Sequence, residues 1–409
     1  MRKLVVILCL LTFWGSGLAQ PCVVSITNPT DLQRQEVVGV DTAQLNFDAS
    51  HGVVVRDAFG IERPSQLTQN GELLIDVHVR PHSQTTFTIQ PGQAAPFKPY
   101  VWGRYYPERA DDISFENDRT GFRIYGPETQ RRGEKSFGID LWVKHSSELL
   151  VDSLYRLEFS RHQEIEALRK LSKLQEADSL VTLTSYHLDH GAGMDGYGVG
   201  ATLGCGTPAL IVGDSIYHPW CYETYEIVEN GPLRFALRLD FAPVRIGKDK
   251  VTEHRLMVLD KGSNFCRMTV WYEGLSHPVS LAAGLTIRTA DTESLLIADN
   301  YVCYADPTID PARHNCQIFT ALAFPDCSGI EDRYKRKTVD VTCYRPFPKP
   351  LGGNAGYALG IKGGYIGEPY SYYIGMAWSE LDVRSLGEWH LRTQHFVQMQ
   401  KVPLEVLFK

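Results

Sequence analysis

The chain has 409 residues, 43% of them hydrophobic and 22% charged, enough to build two ordinary globular domains or one large β domain. Its 48 Asp and Glu outnumber its 41 Lys and Arg, a formal net charge of −7, which argues against a nucleic-acid phosphate backbone as the main partner. Beyond the N-terminal apolar run, no stretch supplies the roughly 20 consecutive, predominantly apolar residues that a membrane-spanning helix needs.

Met1-Arg2-Lys3, an apolar run over 4–14 and the small-residue exit Gly15 to Ala19 form a secretory signal. The mature protein then begins near Gln20 and is secreted, in bacterial terms to the periplasm. Pro21 directly before Cys22 argues against lipid anchoring. Residues 20–96 read as a strand-rich lobe, with alternating runs at 53–57 and 72–79, closed by the turn-rich 90–96. Residues 97–409 follow as the main β region carrying the site; 20–409 also reads as one continuous domain. Only 161–180 has a helical period with good helix formers. The segment 402–408 reads as a closing strand. With no repeat of propeller or solenoid period, the expected fold is all-β: a large antiparallel sandwich or supersandwich of mutarotase-like type, with a β-propeller as the alternative. Cys303, Cys316, Cys327 and Cys343 crowd one region and are candidates to pair after export; no Cys-x-x-Cys spacing points to structural zinc.

Two segments carry candidate chemistry. The first, 104–127, is dense in charge. As a strand, 119–125 puts Arg119, Gly121, Arg123 and Tyr125 on one face and Thr120, Phe122 and Ile124 on the other, so the Phe122 face is core. Two guanidinium forks on one face suit a carboxylate or sulfate, with Glu116 and Asn117 beside them as further binding candidates. The alternative is that these arginines pair with Glu108, Asp111, Asp112, Glu116 and Asp118 on a solvated face. The second segment, 184–200, contains five glycines that favour a tightly turned loop presenting Tyr186, His187, Asp189, His190 and Tyr197. If it enters as a strand, Asp189 shares a face with His187 and orients it. His187 and His190 with Asp189 or Asp195 would instead suit a divalent metal, or these side chains simply hydrogen-bond the turn. Trp220 and Tyr222 are candidates to stack on a sugar ring or to fill the core. The chain has no Gly-x-Ser-x-Gly elbow, no His-Glu-x-x-His and no phosphate cradle. A glycosidase pair could be drawn from Glu116, Asp118, Asp189 and Asp195.

The segments 106–112, 115–119, 138–144 and 199–204, with Phe122-Arg123-Ile124-Tyr125-Gly126-Pro127 and Tyr186-His187-Leu188-Asp189-His190-Gly191, resemble a family long known only as a domain of unknown function. The family is encoded in polysaccharide-utilisation loci of saccharolytic bacteria, beside lyases and unsaturated-uronyl hydrolases, and some members are regarded as oligosaccharide (ulvan-type) dehydratases. The resemblance implies a uronic-acid-containing oligosaccharide as partner and β-elimination as reaction. That chemistry needs a base for the C5 proton, an acid for the C4 leaving group and a cation on the carboxylate. The residues offer His187 or Tyr186 as base, Tyr197 or His190 as acid, and Arg119 with Arg123 for the carboxylate. No cofactor is expected, with a divalent metal as the exception held open. The rival readings are a polysaccharide lyase, a glycoside hydrolase, and a non-catalytic glycan-binding protein using Trp220 and Tyr222.

Overall fold

The computed structural model describes residues 20–213, 215–288, 293–307, 310–325 and 355–409. The secretory signal expected at 1–19, and Cys327 and Cys343 of the expected cysteine cluster, lie outside the described residues.

The protein is all-β in plan, built from antiparallel sheets packed face to face. The largest sheet runs, in spatial order, through Tyr222–Asn230, Arg234–Phe241, Asp249–Asp260, Phe265–Glu273, Tyr370–Trp378, Ile318–Ala323, Tyr301–Asp306 and Leu295–Ala298. Strand Phe265–Glu273 illustrates why it forms: Cys266, Met268, Val270 and Tyr272 alternate inward while Arg267 and Glu273 face out. The inward residues share one core with Leu210, Leu281, Ala283 and Leu285 of a four-stranded sheet, and with Ile113, Phe115, Phe122 and Leu141 of a five-stranded sheet. This is the expected sandwich.

The five-stranded sheet carries the candidate chemistry. Its order is Gly193–Met194, Asp140–Lys144, Gly121–Ile124, Asp112–Glu116 and Trp102–Tyr106. The alternation read over 119–125 holds within the strand, where Phe122 and Ile124 enter the main core and Arg123 points the other way, but Tyr125, past the strand end, joins that core instead of the Arg123 face. That other face is not solvated. Helix Val151–Ser160 covers it, with Leu154 and Tyr155 packing on Tyr106, Trp142 and Tyr186. Apolar burial of this size, roughly 25 cal/mol per Å², is what brings charged strand residues under cover.

The N-terminal lobe has its own core around Val24, Val55, Ile75 and Ile89. Its four-stranded sheet is completed by the C-terminal strand Glu405–Phe408, which pairs with Cys22–Thr27. The closing strand therefore belongs to the lobe at the opposite end of the chain. Arg34, buried, ties the lobe to the last helix by donating to the carbonyls of Met399 and Val402, and the buried pair Lys261–Asp76, at 2.7 Å, ties it to the large sheet.

The single helix expected over 161–180 is two, His162–Lys170 and Leu174–Thr184, broken at Ser172, which takes φ +58°. The sequence reading also passed over Val151–Ser160 and Leu386–Lys401. Cys22, Cys205, Cys221, Cys266, Cys303 and Cys316 are free thiols, so Cys303 and Cys316 do not pair with each other.

Candidate functional site

The site grows from one buried guanidinium. Arg123, 2% exposed, is registered opposite Asp140 on the neighbouring strand. Its Nη2 donates to Asp140 Oδ2, to Asp195 Oδ2 at 2.6 Å and to the Tyr125 hydroxyl at 3.0 Å. Asp112 Oδ2 lies 4.0 Å from its Nε, and the rings of Tyr125, Trp142 and Tyr186 surround the guanidinium. Burial pushes the carboxyls of Asp112 and Asp140 up to about 6, against the pull of Arg123, and raises Asp195 for the same reason. Arg123 Nε and Nη1 and Asp112 Oδ2 have no hydrogen-bond partner.

On this base sits the turn that follows helix Leu174–Thr184. The Tyr186 carbonyl accepts from Asp195 N and its amide donates to Glu158, which pins the turn. His187 is only half-buried, and its Nδ1 lies 3.3 Å from Asp195 Oδ2. Burial and the nearby Arg123 charge hold His187 below the ordinary imidazole range, so at neutral pH it is an uncharged base. The Tyr186 ring centroid is 4.4 Å from that of His187. Burial raises its phenol despite Arg123 and Arg109, so it keeps its proton. Arg109, one-fifth exposed, donates Nε to the Tyr186 hydroxyl at 2.9 Å and lies 3.8 Å from Asp112. A neutral, half-exposed imidazole and a partly exposed guanidinium thus flank a protonated phenol that is itself buried.

The turn is not a strand, and this changes two pairings. Asp189 faces His145, at 2.6 Å, and caps the glycine turn through the amides of Gly191 and Gly193; His187 is held by Asp195 instead. His190 is exposed and bonds the Ser185 carbonyl. Tyr197 is buried under Arg288 with an unpartnered hydroxyl. Among the described residues no group of three or more His, Cys, Asp or Glu side chains converges as a metal site would require, so His187, His190, Asp189 and Asp195 are not gathered as the alternative metal reading needed.

The remaining candidates lie elsewhere. Strand Gly121–Ile124 begins too late to include Arg119, which sits in the preceding turn and donates to Asp382 at 2.5 Å. Arg119 and Arg123 therefore do not form one clamp. Glu116, 1% exposed, accepts from Lys144 and from the amides of Leu150 and Val151, so it caps the covering helix. Asn117 builds the β-turn, accepting from Arg119 N and Thr120 N. Tyr222 is buried and donates to the Asp111 carbonyl, so its ring is not open to a sugar, while Trp220 is partly exposed and packs edge-on to Phe137. Asp118 donates nothing to a carboxylate pair; it accepts from Gly262 N.

A family described as "Domain of unknown function (DUF4861)" matches residues 26–406. The chain belongs to the DUF4861 family. Within curated proteins, this DUF4861 chain is 25% identical over 346 residues to "Uncharacterized protein P7" of Formosa agariphila, an alignment covering 82% of this chain and 77% of that protein. Two solved structures from Enterococcus faecalis match 95% of the chain: an alpha-mannosidase, with a TM-score of 0.49 at 9% identity, and a glycosyl hydrolase family 38 protein, with a TM-score of 0.46 at 10% identity. The DUF4861 chain spans 46% and 47% of their lengths. Among the described residues no helix is long and apolar enough to cross a membrane.

Sequence reasoning missed Arg109 and Asp140 as site members and named Asp112 only as an arginine partner on a solvated face. Each lies in a segment that carries the family resemblance, but the pairing register that gathers them is not written in local spacing.

Proposed function

We propose that this DUF4861 protein is a carbon–oxygen lyase that acts by β-elimination on a uronic acid residue of an oligosaccharide, as a dehydratase releasing water from C4 to leave a 4,5-unsaturated uronate. The observation that carries this reading is the neutral, half-exposed His187 beside the protonated Tyr186 and the Arg109 fork. Elimination needs those three functions together.

With Nδ1 turned to Asp195, His187 Nε2 is the open nitrogen and takes the C5 proton. The C5–H electrons form the C4=C5 double bond, the C4–O bond breaks, and Tyr186 protonates the departing oxygen. Charge developing on the substrate carboxylate is met by Arg109, a charge-assisted bond that strengthens toward the transition state. Arg123, buried and held through its Nη2 by Asp140 and Asp195, positions Asp195, and through it His187, rather than touching substrate. The same wall would serve a polysaccharide lyase if a sugar, not water, left from C4. A paired-carboxylate hydrolase is less well supported, because the carboxylates nearest His187 are buried and committed to Arg123. Given the leader at 1–19, we place the reaction in the periplasm.

Incubating purified protein with uronic-acid oligosaccharides that have saturated ends tests this reading through ultraviolet absorbance of the conjugated uronate and product mass. Absorbance with loss of one water and no cleavage supports the dehydratase, and absorbance with cleavage the lyase. New reducing ends without absorbance would overturn elimination.

A further inference from the structure

One sizeable cavity lies away from His187. It is a cleft of about 930 Å³ between strand Arg34–Asp41 of the N-terminal lobe, the outer face of the large sheet and helix Leu386–Lys401. None of Arg109, Tyr186, His187 or Asp195 lines it. Its size falls in the range of small-molecule sites.

Its charge is opposite to that of the chain. Six Lys and Arg line it against four Asp and Glu, whereas over the whole chain acids outnumber bases. At one end Arg119 and Arg392 both donate to the same oxygen of Asp382, at 2.5 and 2.7 Å. One carboxylate thus answers two guanidiniums, and the buried Arg119 Nε has no partner. Arg267, also in the lining, is exposed and forms no ion pair among the described residues. Beside these cations stands an apolar wall in which Phe396 stacks on Phe265 at 3.9 Å and meets Tyr373 edge-on at 4.9 Å. Forked cations next to aromatic surface suit a saccharide ring carrying an oxyanion better than a free inorganic ion, which gains nothing from the rings.

We propose that this cleft is a second, non-reacting subsite for an oxyanion-bearing saccharide, gripped by Arg267, Arg119 and Arg392. The saccharide half of the assignment rests on the proposed reaction; the anion half rests on the cleft alone.

The test is calorimetric titration of the His187→Ala protein, which leaves the probe unconsumed, with tri-galacturonate, with a neutral galacto-trisaccharide and with inorganic sulfate. Tri-galacturonate is expected to bind, and Arg267→Glu to weaken it about tenfold or more, as loss of a charged contact should, with the melting temperature unchanged because Arg267 holds no partner. Added salt should weaken the same binding. Equal affinity with and without Arg267→Glu, or neutral trisaccharide binding as well as the charged one, would overturn the subsite. Sulfate binding as tightly as tri-galacturonate would overturn the saccharide assignment. If Arg267→Glu loses binding while the wild-type protein eliminates from no uronate, the cleft stands and the proposed reaction falls.

Discussion

Replacing Arg123 by Met removes the only cation in direct contact with Asp140 and Asp195 among the described residues, while roughly preserving volume. All three neighbouring carboxyls are nearly inaccessible: Asp112 and Asp140 at 0% and Asp195 at 4%. Breaking a buried ion pair by removing one partner costs about 3–5 kcal/mol, because the remaining charge is left uncompensated. The pH dependence identifies the cause. In the wild type, burial raises Asp112 and Asp140 from 3.8 to about 6. A carboxyl raised in the folded state contributes stability that is fully present below its unfolded value of 3.8 and is lost as pH rises through about 6. Arg123 opposes that rise, so without it the carboxyls hold their protons to still higher pH. Each proton retained by the folded variant but not by the wild type widens the gap by about 1.4 kcal/mol per pH unit above 6. Urea unfolding followed by tryptophan fluorescence, at about pH 5.5 and about pH 8, measures both effects. Arg123→Met should lose about 3–5 kcal/mol at the higher pH and markedly less at the lower. A pH-independent loss, or one below about 1 kcal/mol, would refute the argument that the cluster is held by this charge.

The other expectations concern activity and the covering helix. His187→Ala should lower kcat by about 10²–10⁴-fold with ligand binding retained, and retained turnover would remove His187 as the base. The acid limb of the kcat/KM profile should lie below the ordinary imidazole value of 6.5, since His187 must be neutral and burial with Arg123 disfavours its charge; a limb above 6.5 would contradict that. Arg109→Gln should reduce kcat/KM about 10–100-fold, the worth of a charge-assisted hydrogen bond, and an unchanged value on a carboxylate substrate would argue for another anion contact. Glu116→Ala should destabilise by about 3–5 kcal/mol, because it orphans the buried Lys144 ammonium and uncaps helix Val151–Ser160. The kcat of the folded fraction should not change.

How much of this was legible in the sequence depends on whether a feature is local. Strand periodicity is local, so the all-β sandwich and the inward face of Phe122 could be read from the chain. The glycine-rich segment 184–200 also announced itself, and two of its side chains, Tyr186 and His187, stand on the wall that could carry chemistry. The helix over 161–180 was seen as one because Ser172 is only weakly unfavourable to a helix; its left-handed φ of +58° comes from the chain folding back, not from composition. Helix Leu386–Lys401 was missed because Trp389, Thr393 and Val397 bury a narrow stripe within an otherwise polar segment.

The partners of the site were not legible for a deeper reason. Charged residues at 104–127 look like a solvated sheet face, because a sequence shows charge but not the helix that will lie over it. Once Val151–Ser160 buries that face, each charge there must find a partner or lose its ionisation. Glu116 finds Lys144 and two helix amides; Arg123 finds Asp140 and Asp195. Structural pairing and site-building are therefore the same event. The carboxylate that satisfies Arg123 is also the one that reaches His187, so the wall's geometry is set by the energetic need to neutralise a buried guanidinium. That coupling explains why the alternation that put Asp189 with His187 failed: Asp189 was free to turn toward His145, while Asp195 was already fixed from below.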